Sequence, residues 1–152
     1  MSADGSLYDE DFYAWTQEQA KLLRRGRVAA NRLDIEHIAE EIEDLGKSEL
    51  HTCQSLCELI VEHLLKLEYS GLTQPTNHWR REIVRWRVQL DRKLTRSIET
   101  RLDLAARYRV AAKMLRYIED DVPGLMARVP AECPYSLAQI LGGEDDWFPE
   151  AR

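Results

Sequence analysis

Three groups of residues in this chain have types and spacings that invite a chemical reading. The first is Glu36, His37, Glu40, Glu41 and Asp44, carboxylates and an imidazole within one short stretch. Residues of this kind ligate metals in helical bundles, where di-iron sites place Glu-x-x-His on two helices. No histidine here has a glutamate three residues before it. Asp34-x-x-His37 is the nearest approach, and neither His-x-x-x-His nor HExxH occurs. On a helical wheel the acids spread over the polar faces, so a solvated acidic face accounts for them. The second group centres on His63, inside EHLLK at the edge of an apolar stripe, a position suited to a ligand or a general base. It lies 22 residues after Glu41, roughly 33 Å along one straight helix. A shared site therefore needs a break in that helix or a second chain, and a satisfied histidine at a helix interface is the simpler account. Glu41, His63 and His37 are the metal candidates that remain. No cofactor is predicted and no catalytic residue is assigned.

The third group is basic. From Arg80 to Arg116 there are 12 Lys and Arg against four acids, a balance of +8 that leaves -14 for the rest of a chain whose net charge is -6. With Trp79 and Trp86 alongside, this 80–116 stretch resembles a nucleic-acid-binding surface. Both tryptophans fall on an apolar stripe, however, and the acidity of the whole chain opposes non-specific phosphate binding. Charge complementarity between a basic and an acidic helix explains the same residues more economically. No phosphate loop, nucleophile elbow or cysteine-zinc spacing appears, so nothing in the motifs argues for an enzyme.

The elements that must position these residues are helices. Leu33 to Tyr69 has the strongest period: Ile35, Ile38, Ala39, Ile42 and Leu45 share one stripe with Cys53, Leu56, Cys57, Ile60, Leu64 and Leu67. A single phase across Gly46 predicts one helix of about 35 residues and roughly 50 Å, with Asp34 as its N-cap. The alternative is a hairpin that stops at Gly46 and restarts at Ser48. Gly46 on the stripe costs ~1 kcal/mol of propensity, which close approach of a neighbouring helix would justify. Before it, Asp9 or Asp11 caps a helix running to about Arg25, with Phe12, Trp15, Gln19, Leu22 and Leu23 as its apolar side and Gly26 as C-cap. After a turn at residues 70–77, Asn77 caps a third helix carrying Trp79, Ile83, Trp86, Leu90 and Leu94. Its phase continues through Arg101 to Leu115, as one long helix or with a break near Ser97–Thr100. The short turn makes it antiparallel to the long helix and sets Glu49, which needs a partner on that face, opposite Arg101. A structural Glu49–Arg101 ion pair is predicted. Near the end, Ser136 caps a short helix that stops at Gly142-Gly143, and Trp147 and Phe148 are free to fold back onto a groove.

These elements predict an all-α fold, an elongated bundle of four to five helices built on a long antiparallel pair. A single domain over 1–152 is expected, with 1–7 and 149–152 flexible. A compact globule of this length has a radius of gyration near ~15 Å, so a ~50 Å helix leaves apolar stripe uncovered, and a homodimer would cover it. No run approaches a membrane span, the acidic start MSADGSLYDEDFY is no signal peptide, and three cysteines make no disulfide framework. A cytoplasmic protein is expected, with Cys53 and Cys57 in the core and Cys133 the more accessible thiol.

Tyr8-Asp9-Glu10-Asp11-Phe12-Tyr13-Ala14-Trp15, then Leu33-Asp34 leading to Glu40-Glu41-Ile42-Glu43-Asp44-Leu45-Gly46, resembles the bacterial family called domain of unknown function 29. His63-Leu64-Leu65-Lys66, Trp79, Cys133-Pro134-Tyr135-Ser136 and Gln139-Ile140-Leu141 follow in the family's order, so the resemblance spans about residues 8–148. It implies a bacterial, all-helical protein and brings no activity, and no catalytic residues, with it. The expected function is a small intracellular protein-interaction or regulatory module. The alternatives are a nucleic-acid-associated protein using the 80–116 face and a metal-dependent enzyme using the carboxylates and histidines.

Overall fold

The computed structural model describes residues 6–26 and 35–152. The connector after Gly26 and the cap assigned to Asp34 lie outside the described residues. Every regular element among the described residues is helical: α1 (Leu7–Glu10), α2 (Phe12–Arg25), α3 (Ile35–Tyr69), α4 (Thr76–Lys93), α5 (Arg96–Glu99), α6 (Leu104–Met114), a 3-10 turn (Leu115–Ile118), α7 (Leu125–Arg128) and α8 (Leu137–Leu141). Eight helices replace the expected four to five, because four of them are single turns of four or five residues.

α3 is one 35-residue helix, which removes the hairpin alternative at Gly46. The third helix does break. α4 ends at Lys93, and Thr95 then accepts a hydrogen bond from the Ile98 N–H to open α5. Asp103, in the left-handed region at φ 50, caps α6 through the Ala106 N–H. Two fresh N-caps reset the backbone although the apolar phase runs on. Asn77 is not the cap of α4: it sits inside the first turn, where the Pro75 carbonyl accepts the Trp79 N–H at 3.0 Å. The turn before α4 returns it along α3, and His63 of α3 meets Trp86 of α4 edge-on at 4.7 Å, as the short loop predicts.

The chain divides into two compact units, Met1–Cys53 with Leu94–Arg101 and Gln54–Lys93 with Leu102–Arg152. In the first, buried Asp11 is shared by two helix starts. Its carboxylate accepts the Ala14 N–H at the start of α2, and the Thr95 hydroxyl and the Ser97 N–H at the start of α5, each at 2.9 Å. Burial pushes its pKa up, but these hydrogen bonds outweigh burial and hold it below the ordinary carboxylate value. α2 meets α3 at Gly46. A Cβ there would lie 2.1 Å from the Thr16 hydroxyl oxygen, so only glycine permits this approach. The contact face of α2 is built from Tyr13, Thr16 and Ala20, all buried. Leu22, expected on that face, is exposed, because it lies on the side of α2 opposite the buried row of Tyr13, Thr16 and Ala20. Ile38 and Leu45 of the α3 stripe are likewise exposed, at 39% and 54%.

The second unit holds the larger core. Leu56, Cys57, Ile60, Val61, Leu64 and Leu65 of α3 are buried, as are Ile83 and Leu90 of α4, Tyr108 and Ala111 of α6, and Leu115, Leu125 and Ile140. Each fully buried Leu or Ile contributes about 1.5–3 kcal/mol relative to exposure. Cys53 and Cys57 are buried and Cys133 is half-exposed. α8 carries a full capping box between Ser136 and Gln139 and ends at Gly142 with φ 88. Within residues 149–152, Pro149 is buried, and the Arg152 N–H donates to the Glu68 carbonyl at 2.7 Å.

Candidate functional site

The residues singled out for chemistry do not converge. His37 and Glu41 are exposed on the first half of α3. Continuity of that helix keeps Glu41 and His63 from meeting within one chain. Among the described residues no group of three or more His, Cys, Asp and Glu is arranged to hold a metal ion. His63 is half-buried. Its ring nitrogen Nδ1 donates to the Leu59 carbonyl at 3.0 Å, and Trp86 covers one side. Burial and the neighbouring Lys66 ammonium lower its pKa to about 4, against the opposing pull of Glu62 and Glu82. Glu62 and Lys66 pair with each other at 2.6 Å. His63 is thus a neutral, satisfied interface residue at physiological pH. Glu49 is half-buried on α3. Arg101 is exposed, donates to the Ser97 carbonyl at 2.9 Å and lies over the Tyr13 ring at 5.0 Å.

Part of the basic stretch is engaged within the protein, although nine of its twelve cations are exposed. Arg87 is only 4% exposed. Its guanidinium donates to the carbonyls of Ile140, Gln139 and Trp147 at 2.8–2.9 Å, capping the C-terminal end of α8, where cations are favoured. Arg80 and Arg87 both lie over the Phe148 ring, so the aromatic tail folds back as its composition predicts. Arg85 pairs with Glu82, and Arg107 with Glu58. Arg109, Lys113 and Arg116 form a basic wall. With Ala112, Met126, Val129 and Pro130 they line a groove of about 400 Å³.

The buried ionisable centre of the second unit is Glu68, in the last turn of α3 and 4% exposed. Its carboxylate accepts the Tyr135 hydroxyl at 2.7 Å and the Arg152 Nε–H at 2.9 Å. Burial and Glu68 push the Tyr135 hydroxyl far above its ordinary pKa, which fixes it as a donor. Tyr108, whose hydroxyl donates to the Pro130 carbonyl, is pushed up to about 12 by burial and by the neighbouring Cys133, Tyr69 and Glu68. A cavity of about 270 Å³ opens beside Glu68, lined by Pro134, Tyr135, Gln139, Trp147 and Arg152 among others. Sequence reasoning missed both Glu68 and Arg87. The available signal was phase: Glu68 follows Leu64 by four, and Arg87 follows Ile83 by four and precedes Leu90 by three, so each charged residue stands in the row of a buried stripe.

The family model described as domain of unknown function DUF29 matches residues 7–148. The chain belongs to the DUF29 family. A crystal structure of an alpha-helical protein of unknown function from Rhodospirillum rubrum is similar to it at 29% identity, covering 94% of this chain and 93% of that one with a TM-score of 0.83. No curated protein matches. The stretches that carry the DUF29 resemblance hold the joints just described. Asp11 caps two helices, Gly46 admits α2, Tyr135 holds Glu68, and Ser136 with Gln139 closes the α8 capping box. No helix among the described residues is long and apolar enough to cross a membrane.

Proposed function

We propose that this DUF29 chain is a helical protein-interaction module that pairs with a second copy of itself. The observation that carries the reading is the uncovered edge of α3, where Ile38 and Leu45 stand exposed seven residues apart on one side of the helix. A helix with an apolar row left open recruits another surface to cover it. The charge around the row selects the surface. Glu41, three residues after Ile38 and four before Leu45, stands beside both and is exposed. The groove walled by Arg109, Lys113 and Arg116, with Met126, Val129 and Pro130 as apolar floor, offers the complementary chemistry on the second copy. Charge complementarity of this kind sets partner choice and register.

The test is a charge swap read by equilibrium sedimentation. The native chain is expected to dimerise. Glu41→Lys and Lys113→Glu should each weaken the dimer by about tenfold in Kd. Mixing the two variants should restore association, since each then meets the opposite charge on the other. A monomeric native chain, or a dimer indifferent to both substitutions, overturns the reading. Nucleic acid is the second reading, favoured by the same three cations in one groove. It requires binding that falls steeply with salt and is lost with Lys113→Glu but kept with Glu41→Lys.

A further inference from the structure

We propose that Glu68 anchors a binding site for a guanidinium group, and that here the chain's own Arg152 fills it. The two members of this ion pair are unequally placed. The Glu68 side chain is 6% exposed, at the end of a 35-residue helix, while the Arg152 side chain that meets it is 74% exposed. An ionised carboxylate in such a setting needs a cation with hydrogen bonds to match. The anion belongs to the rigid frame, and the cation is delivered by a surface segment.

The surroundings suit a guanidinium rather than a bare ammonium. Tyr135 donates to one carboxylate oxygen at 2.7 Å and Arg152 Nε to the other at 2.9 Å, and the Tyr69 hydroxyl also hydrogen-bonds to the carboxylate. Trp147 stands against Tyr135 with ring centroids 5.9 Å apart, and both line the cavity of about 270 Å³ beside the pair. Flat aromatic walls next to a buried carboxylate favour a planar, delocalised cation that stacks while its N–H groups donate. Glu150 on the same rim adds negative charge. The segment carrying Arg152 is held by the buried Pro149 and by its own N–H on the Glu68 carbonyl at 2.7 Å. A tethered guanidinium has an effective concentration on the order of millimolar. It therefore acts as a built-in competitor, and an incoming ligand binds only in the fraction of molecules whose segment has lifted. The ligand chemistry is that of arginine, either the free amino acid or an arginine side chain presented by a protein. This site is independent of the self-association proposed above.

The experiment measures binding of L-arginine, and separately of a capped Gly-Arg-Gly peptide, to the full chain by calorimetry. Arg152→Ala should bind at least tenfold more tightly than the native chain, Arg152→Lys should fall between them, and adding Glu68→Gln to Arg152→Ala should abolish binding. Binding of the peptide without the amino acid identifies a protein-presented side chain as the source; binding of both identifies the free guanidinium. In the native chain, saturating ligand should also speed hydrogen exchange at the Arg152 amide as its bond to the Glu68 carbonyl opens, a readout that needs no variant. Equal affinity in the native and Arg152→Ala chains, no binding by Arg152→Ala, or an Arg152 amide unmoved at saturation overturns the proposal.

Discussion

His63 carries its proton at Nδ1, on the Leu59 carbonyl, and is pressed against Trp86, so taking up a second proton means charging a ring that burial has set against charge. Its pKa in the folded chain is lowered to about 4 from 6.5. The unfolded chain then binds more protons than the folded one between those values, and stability falls as pH drops through that window and is full above it. The midpoint of urea unfolding should decline between pH 7 and pH 4.5, and His63→Gln should flatten that part of the profile. The carboxylates whose pKa hydrogen bonds and ion pairing depress against the opposing effect of burial, Asp11 and Glu43, act below it and are unaffected by the substitution. A profile unchanged by His63→Gln would show that the ring titrates freely. At this scale the sequence was readable only where a residue acts through its neighbours in the chain. Ser136, Gly142 and Gly26 could be placed as caps because capping is local. Glu68 and Arg87 could not, because their partners, Tyr135 and Arg152 for one and the α8 carbonyls for the other, lie 52 or more residues away and leave no mark on local pattern beyond a charge in an apolar row.

Helices were legible as helices because periodicity is a property of each segment alone. The 35 residues of α3 follow from a phase that Gly46 does not interrupt, and the use of Gly46 as a point of close approach follows from its place in that phase. Where α4 stops was not legible. Its stripe carries on in phase through Arg101 to Leu115, and the break is made by Thr95 and Asp103 side chains that satisfy backbone donors, a choice that Asp11 reinforces from a distant part of the chain. The α5 segment is therefore held partly from outside, and the Glu49–Arg101 pair expected from register would be a second hold upon it. Arg101 is exposed and already engaged with the Ser97 carbonyl and the Tyr13 ring. An ion pair with one solvated partner contributes less than about 1 kcal/mol, well short of the ~3–5 kcal/mol lost on breaking a fully buried one. A double-mutant cycle with Glu49→Gln and Arg101→Met should return a coupling energy of about 0.5 kcal/mol that shrinks in high salt. Additive effects would show that the two side chains are held by other partners.

α3 contributes residues to both compact units. Between Gly46 and Gly71 the chain has neither glycine nor proline, and Cys53, Leu56 and Cys57 are buried on either side of the division between the units. A helix propagates order cheaply once formed and pays mainly for its nucleus. The single domain expected from chain length then becomes a prediction about unfolding: loss of packing on Ile35–Cys53 should be felt along the whole helix. Gly46→Ala is the perturbation that tests it. The added methyl gains ~1 kcal/mol of helix propensity but would stand 2.1 Å from the oxygen of fully buried Thr16. Overpacking of that kind costs about 1–3 kcal/mol, and the sign is set by Thr16, which is fully buried and donates to the Tyr13 carbonyl at 2.8 Å. The variant should be less stable, by up to roughly 2 kcal/mol once the propensity gain is subtracted. Trp15 reports on the first unit and Trp86 on the second, so chains keeping one tryptophan each can follow the units separately. Coincident urea transitions, both displaced equally by Gly46→Ala, are expected. A shift in the Trp15 transition alone would mean that the first unit melts by itself while the C-terminal half of α3 stays in place.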